Sequence, residues 1–120
     1  MVDQDELYAV LLAWALGPTI KNIGSYTDLS KDYQQRTGVW IDPRTGWDEP
    51  LGKLNRHLHT RGAPPLSALV INHQLNEPGA RFWGSAPNVP PKPPVLQQRQ
   101  GIWALLVKQV LAYPWPPTRP

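Results

Sequence analysis

Residues 48–84 read DEPLGKLNRHLHTRGAPPLSALVINHQLNEPGARFWG, a helical pattern followed by a proline stop and two apolar segments separated by a turn. The opening, Asp48-Glu49-Pro50, offers an N-cap candidate, an acidic first turn and a proline whose missing N–H costs nothing there. Apolar residues then recur at helical spacing, at Leu51, Leu54 and Leu58. With Gly62 as a stop signal, this pattern predicts a helix over 50–61.

The segments after this helix predict a β-hairpin near 66–84. Pro64-Pro65 prevents the helix from resuming, and residues 66–72 are rich in apolar and β-branched side chains. Asn76-Glu77-Pro78-Gly79 has turn chemistry, so residues 80–84 would form the partner strand. Because a helix followed by a hairpin is the second half of a winged helix, we expect a winged-helix-like α+β fold. It would have three to four helices, the hairpin and a C-terminal apolar helix.

Three further segments carry helical patterns, at 4–16, 27–37 and 100–112. Asp3 gives the first a capping-box-like start, and Ser25 or Thr27 is the N-cap of the second. The third is apolar nearly all round, which predicts either the centre of the core or, through residues 102–112, a homodimer face. The residues expected to be buried are Trp14, Leu29, Leu54, Leu58, Leu69, Ile71, Leu105 and Leu106.

The length of 120 residues suits one small domain, 1–120, built around one core. Residues 39–47 combine turn chemistry with apolar side chains and predict a flap over that core. Nine of the fifteen prolines cluster in two segments, a strap at 87–99 and an extended tail at 113–120. The strap contains a P-x-x-P sequence, so it is either a stiff connection to the last helix or a ligand for an aromatic-lined groove.

The charges are distributed unevenly along the chain. Residues 1–49 carry four basic and eight acidic residues, net −4, whereas residues 50–120 carry eight basic and one acidic, net +7. This asymmetry indicates either an anionic partner for the second half or an acidic half packed on a basic half. Because cysteine is absent, the N-terminus is acidic and no apolar run reaches membrane length, we expect a cytoplasmic protein without membrane association.

No residue pattern predicts catalysis, a metal site or a cofactor. His57 and His59 diverge on a helix and cannot share a metal ion, and His73 has no second ligand at motif spacing. The carboxylates that a metal nuclease would need are each explained by helix caps or turns, at Asp28, Asp32, Asp42, Asp48 and Glu49. The chain also lacks a phosphate-binding Gly-rich loop and a Gly-x-Ser-x-Gly motif. We therefore expect a protein that is not an enzyme.

A basic face of the 50–61 helix points instead to nucleic acid. The residues predicted to contact phosphates and base edges are Lys53, Arg56, Thr60, Arg61 and Arg81. The first three lie opposite the leucine stripe, and Arg81 would lie on the hairpin. DNA is then the expected partner. The six tryptophans and the apolar last helix suit a different class equally well, a module that binds a host protein.

Two family resemblances accompany these patterns. Ser25-Tyr26-Thr27-Asp28-Leu29-Ser30, followed by Leu54-Asn55-Arg56-His57-Leu58, resembles the winged-helix DNA-binding domain of alkyltransferase-like proteins. The resemblance implies that Arg56 matches an arginine that enters the DNA stack. The Pro-Cys-His-Arg segment of that family falls near Pro64-Pro65-Leu66-Ser67, where the Cys and the His-Arg pair are absent, so alkyl transfer is excluded.

The second resemblance lies within residues 64–83. Residues 64–72 and 77–83 are similar to a segment found in small uncharacterised bacterial and phage proteins. The resemblance implies a phage or prophage origin. It is compatible with DNA binding and with a phage-type inhibitor or adaptor that docks on a host protein.

Overall fold

The computed structural model describes residues 1–120 and begins with helix α1, Gln4–Leu16. The predicted bounds of this helix are confirmed, as is its N-cap. The Asp3 carboxylate accepts hydrogen bonds from the backbone N–H groups of Asp5 and Glu6 at 2.9 and 3.1 Å. Such a cap satisfies backbone donors that have no partner within the helix. The inner face of α1 buries Leu7, Tyr8, Val10, Leu11, Trp14 and Ala15.

Helix α2, Tyr26–Thr37, begins one residue before the predicted start at 27. Its N-cap is Ser25, one of the two residues proposed for that role, and Ser25 forms a reciprocal capping box with Asp28. Gly38 ends the helix in the left-handed region, at φ 79°. Only glycine adopts that conformation without a steric penalty.

The connector from 38 to 47 is anchored to α2 by a hydrogen-bonded chain. The Trp47 indole N–H donates to the Ser30 hydroxyl at 2.8 Å, and that hydroxyl donates to the Ile41 carbonyl oxygen at 2.6 Å. The Trp47 ring also meets Tyr33 edge to face, with centroids 5.4 Å apart. Trp47 is buried and Ile41 packs against the core, as expected for a flap, whereas Trp40 is exposed.

Helix α3, Asp48–Thr60, starts two residues before the predicted 50 and ends one residue before the predicted 61. Asp48 was expected as a possible N-cap, but the cap position is Trp47, and Asp48 is the first helical residue. The leucine stripe packs inward as predicted, and the buried residues of α3 are Leu51, Gly52, Leu54, Asn55 and Leu58. Gly62 ends the helix with φ 71°.

The predicted hairpin over 66–84 is wrong. Residues Leu66–Leu69 form a 3-10 helix, and strand β2, Val70–Ile71, pairs in parallel with strand β1, Gly24–Ser25. Residues 80–84 form turns, and only an isolated antiparallel bridge joins Asn72 to Glu77. The fold is therefore α+β with four helices and a two-stranded parallel sheet, and it lacks the wing of a winged helix.

Tertiary contacts explain why the strand propensity of these segments does not decide their structure. The buried Asn55 side chain donates to the Ser67 hydroxyl at 2.6 Å, which holds Ser67 against α3. All four residues of the 3-10 helix are buried, whereas a strand on one face of a sheet would alternate. Phe82 and Trp83 are likewise both buried although they are neighbours in sequence.

Residues 87–95 lead to helix α4, Leu96–Ala112; they begin with a turn at 87–89 and have no regular secondary structure from 90 to 93. The helix starts four residues before the predicted 100, so residues 96–99, assigned to the strap, are helical. Pro93 is buried and Pro90 is half-buried, so both prolines of the P-x-x-P sequence face the domain. This burial supports a structural strap over a free ligand.

The burial predictions for the last helix are confirmed only in part. Leu106 is buried, but Leu105 is 55% exposed, because a domain of this size covers only one side of α4. Of the other predicted core residues, only Ile71 is half-buried rather than buried. The tail at 113–120 has no regular secondary structure, bends at 113 and 117–118, and packs on α1, where the Tyr8 hydroxyl donates to the Pro116 carbonyl oxygen at 2.6 Å. No helix combines the length and apolar character needed to span a bilayer.

Candidate nucleic-acid interface

A polar groove of about 580 Å³ runs along the exposed side of α3, and no hydrophobic side chain lines it. We call it the arginine groove. It is lined by Arg44, Thr45, Asp48, Glu49, Gly52, Arg56, Arg81 and Ser85. Three different parts of the chain therefore meet here: the connector before α3, the outer face of α3, and the turns that follow β2.

Arg56 lies along the outer surface of α3 and is held at two points. Its Nη1 donates to the Ser85 carbonyl oxygen at 3.2 Å, and its Nη2 lies 3.4 Å from a carboxylate oxygen of Glu49. Gly52 leaves room for this arrangement, because a Cβ at that position would lie 3.2 Å from Arg56 Nη1. The guanidinium is thus oriented by α3 and by the segment around Ser85 together.

The other two arginines of the groove are more exposed. Arg81 Nε lies 3.7 Å from Asp48 Oδ2, and Arg44 Nε lies 3.8 Å from Asp42 Oδ1. The side chains of Arg81 and Arg44 are 79% and 88% exposed. Exposed ion pairs contribute about 0–1 kcal/mol to the stability of a protein, so an anionic ligand can replace the carboxylates at little cost in free energy.

The segment that carries Arg81 is fixed to the start of α2. The Gly79 N–H donates to the Tyr26 hydroxyl at 3.1 Å, and Phe82 and Trp83 anchor the next turn in the core. Burial raises the pKa of Tyr26, the hydrogen bond from Gly79 acts in the opposite direction, and the Asp48 carboxylate adds a smaller increase. Tyr26 is therefore neutral at physiological pH and adds no negative charge beside Arg81.

A second polar cleft, of about 460 Å³, adjoins the arginine groove. The two share Arg44, Asp48 and Arg81. The cleft extends past Tyr26 to the turn that contains His73 and Gln74. Hydroxyl, amide and imidazole groups thus continue the polar surface beyond the groove.

The structure brings together only part of the predicted set of contact residues. Arg56 and Arg81 line the same groove, although Arg81 lies in a turn rather than on a hairpin. Lys53 and Thr60 are exposed on the same outer face of α3. Arg61 lies just beyond the C-terminal end of α3, about 18 Å along the helix axis from the groove's Glu49.

Arg44 is the site residue that the sequence predictions missed. It lies in the turn Asp42-Pro43-Arg44-Thr45-Gly46, four residues before α3 begins. The turn chemistry and the short distance to a helix N-terminus are the signals that could have placed Arg44 near Asp48. Both signals are weak, since the tertiary fold decides whether Arg44 lies in the same groove as Arg81.

Every carboxylate of the chain has a partner within the molecule. Asp3 and Asp28 cap helices, and Asp32 accepts a hydrogen bond from the Trp14 indole at 2.7 Å. The other six pair with arginines, namely Asp5, Glu6, Asp42, Asp48, Glu49 and Glu77. No group of three His, Asp or Glu side chains is arranged to hold a metal ion.

Comparisons with known proteins identify no family for this chain. No protein-family model, curated protein or solved structure gives a match to this chain.

Proposed function

We propose that the protein is a non-enzymatic, cytoplasmic DNA-binding protein that places α3 in the major groove. The observation that carries this proposal is the arginine groove, where Arg44, Arg56 and Arg81 line one polar surface along the exposed face of α3. Arginine is well suited to this role because its planar guanidinium binds phosphate and guanine through paired hydrogen bonds. A helix about 10–12 Å across fits the B-DNA major groove, which is about 12 Å wide.

In this proposal, α3 and the turns at 79–86 divide the DNA contacts as the two parts of a winged helix do. In a winged helix a recognition helix reads the groove while the hairpin contacts the backbone. Here α3 takes the first role, and the turns at 79–86, which carry Arg81, take the second. A compact turn segment thus takes the place of the wing beside the DNA-reading helix.

The charge distribution supports an anionic partner. Three ion pairs join the acidic first part of the chain to the basic second part, Asp5–Arg119, Asp48–Arg81 and Glu49–Arg56. These three pairs therefore account for part of the charge asymmetry. Six basic residues have no carboxylate partner in the protein: Lys21, Lys31, Lys53, Arg61, Lys92 and Lys108. Lys53, exposed on the outer face of α3, is free to contact a phosphate beside the groove, and Arg61 lies just beyond the C-terminal end of the helix.

Titration of a DNA duplex at several salt concentrations tests the proposal. With three to five phosphate contacts, a plot of the log of the association constant against the log of the salt concentration should have a slope of roughly −3 to −4.5. Lys53→Gln should weaken binding to all sequences alike and make that slope shallower by about one. Arg56→Gln should cost about 1–3 kcal/mol and reduce any base preference.

Lys108→Gln is the matched control, because Lys108 is an unpaired, exposed cation on α4, outside the groove. Its affinity and salt slope should equal those of the unmodified protein. If reversing the charges of Lys53, Arg56 and Arg81 together leaves DNA binding intact, the proposal is wrong.

The outer face of α4 favours a second candidate, a protein-binding module of the kind that phage inhibitors and adaptors represent. Leu105 is 55% exposed there, and Leu111, at the edge of that face, is 38% exposed; Leu96, nine residues before Leu105 and 50% exposed, lies on the opposite side of the helix. The only exposed charge of α4 is Lys108. An apolar helix face with so little charge is suited to cover by a second protein, which includes a second copy of the same chain.

Sedimentation equilibrium tests self-association through α4. If α4 forms a homodimer, the mass should rise from 13.5 kDa toward twice that value as the concentration increases. Leu105→Gln should then keep the protein monomeric without lowering its stability by more than about 0.5 kcal/mol. Ile20→Gln removes an even more exposed apolar side chain outside α4 and should leave association unchanged. A chain that stays monomeric at every concentration would contradict the homodimer.

A further inference from the structure

The outer face of α3 presents a hydrogen-bond acceptor directly beside a hydrogen-bond donor. Glu49 and Arg56 are seven residues apart, so they lie within about 20° of each other around the helix. Their side chains are 85% and 48% exposed, and Glu49 Oε1 lies 3.4 Å from Arg56 Nη2. Glu49 is the second residue of α3, in the N-terminal part from which recognition helices contact base edges.

Both groups keep free hydrogen-bonding capacity. The Glu49 carboxylate has no protein partner other than Arg56, so its second oxygen is available. Each terminal nitrogen of Arg56 carries two hydrogens, of which the contacts to Ser85 and Glu49 use one each. Two hydrogens on the terminal nitrogens and the hydrogen on Nε therefore remain for a bidentate fork beside the carboxylate oxygen, and the bond to Ser85 restrains the guanidinium.

This pattern is complementary to one base pair in particular. In the major groove, guanine offers two adjacent acceptors, N7 and O6, and its paired cytosine offers the N4 amino donor. The O6 and N4 atoms are hydrogen-bonded to each other, about 2.9 Å apart, which is close to the spacing of the Arg56 and Glu49 atoms. An A·T pair also places a donor beside an acceptor, but it never presents two adjacent acceptors to the arginine fork.

We propose that Arg56 and Glu49 together read a G·C pair, Arg56 through guanine N7 and O6 and Glu49 through cytosine N4. This inference rests on the proposed function and names its ligand class, duplex DNA with a G·C pair at the position that α3 faces. It also gives Glu49 a role that charge alone does not suggest. A carboxylate weakens binding to phosphates in general, yet here it selects the base pair.

Binding to two duplexes of equal length, one containing G·C pairs and one made only of A·T pairs, tests the inference at a single salt concentration. The unmodified protein should prefer the G·C duplex by roughly 5- to 100-fold. Glu49→Ala should reduce this preference while affinity for the A·T duplex stays equal or rises, because a negative charge is removed. Replacing the guanines with 7-deazaguanine, which lacks the N7 acceptor, should also reduce the preference.

Two controls separate this inference from the proposed function. Lys53→Gln should weaken binding to both duplexes by the same factor, and Lys108→Gln should change neither. Equal binding of the unmodified protein to both duplexes, with a normal salt slope, would overturn the G·C inference and leave DNA binding intact. If Glu49→Ala raised the affinity for both duplexes by the same factor, the G·C inference would also be overturned, since Glu49 would then act only as a repulsive charge. Absence of binding to either duplex would overturn the proposed function itself.

Discussion

Replacing Leu58 or Leu69 with alanine should lower the free energy of unfolding by about 2–5 kcal/mol, as measured by urea denaturation. Both side chains are fully buried, Leu58 on the inner face of α3 and Leu69 at the end of the 3-10 helix. Each truncation removes apolar contacts and leaves a cavity that the surrounding side chains fill only in part. Because Leu58 fixes the rotation of α3, the same packing directs Arg56 outward.

Leu105→Ala is the matched control for these two substitutions, since it makes the same chemical change at a side chain that is 55% exposed. Its unfolding free energy should change by no more than about 0.5 kcal/mol in the monomer. Losses below about 0.5 kcal/mol at both Leu58 and Leu69 would show that the inner faces of their elements are assigned wrongly.

Arg99→Met should destabilise the protein by about 3–5 kcal/mol, because it leaves the carboxylate of Glu77 buried without its partner. Arg99 Nε lies 2.8 Å from Glu77 Oε1, and the two side chains are only 15% and 11% exposed. Arg99 also donates to the Pro93 carbonyl oxygen at 3.0 Å. One guanidinium therefore joins α4, the proline strap and the turn after β2.

Urea denaturation of two further variants checks this explanation. Arg36→Met breaks the exposed pair with Glu6 and should cost about 1 kcal/mol or less. Replacing both members of the buried pair, as Glu77→Leu with Arg99→Met, should recover much of the loss because no uncompensated charge remains. If Arg99→Met and Arg36→Met lowered the free energy of unfolding by the same amount, burial of the Arg99–Glu77 pair would not be the cause of the loss.

The helices could be predicted from the sequence because their signals are local. Asp3 and Ser25 cap helices through hydrogen bonds to residues two or three positions away, and Gly62 needs only its own φ of 71° to end α3. The leucine stripe of α3 likewise follows from a repeat within a single helix. In each case the physical cause lies within one or two turns of the residue.

The failures occur where distant residues decide the structure. The segment 66–69 has the apolar composition of a strand, but Asn55 holds Ser67, twelve residues later, in a 3-10 helix. Leu105 belongs to a helix that is apolar on both sides, and the sequence does not show which side the domain covers. Arg44 enters the site only because the fold brings its turn to Arg81. Local patterns carry none of this information.

The parallel pairing of β1 with β2 has a consequence for the order of folding. It joins Gly24 to Val70 and Ser25 to Ile71, positions 46 residues apart, with α2 and α3 in the loop between them. Helices form within about a microsecond, whereas closing so long a loop carries a larger entropic cost. We therefore expect α2 and α3 to be formed before the strands meet, and the segment that carries Arg81 and Ser85 to dock afterwards. The wall of the arginine groove opposite α3 would then be the last part of the protein to assemble, and α3, which we propose reads DNA, one of the first.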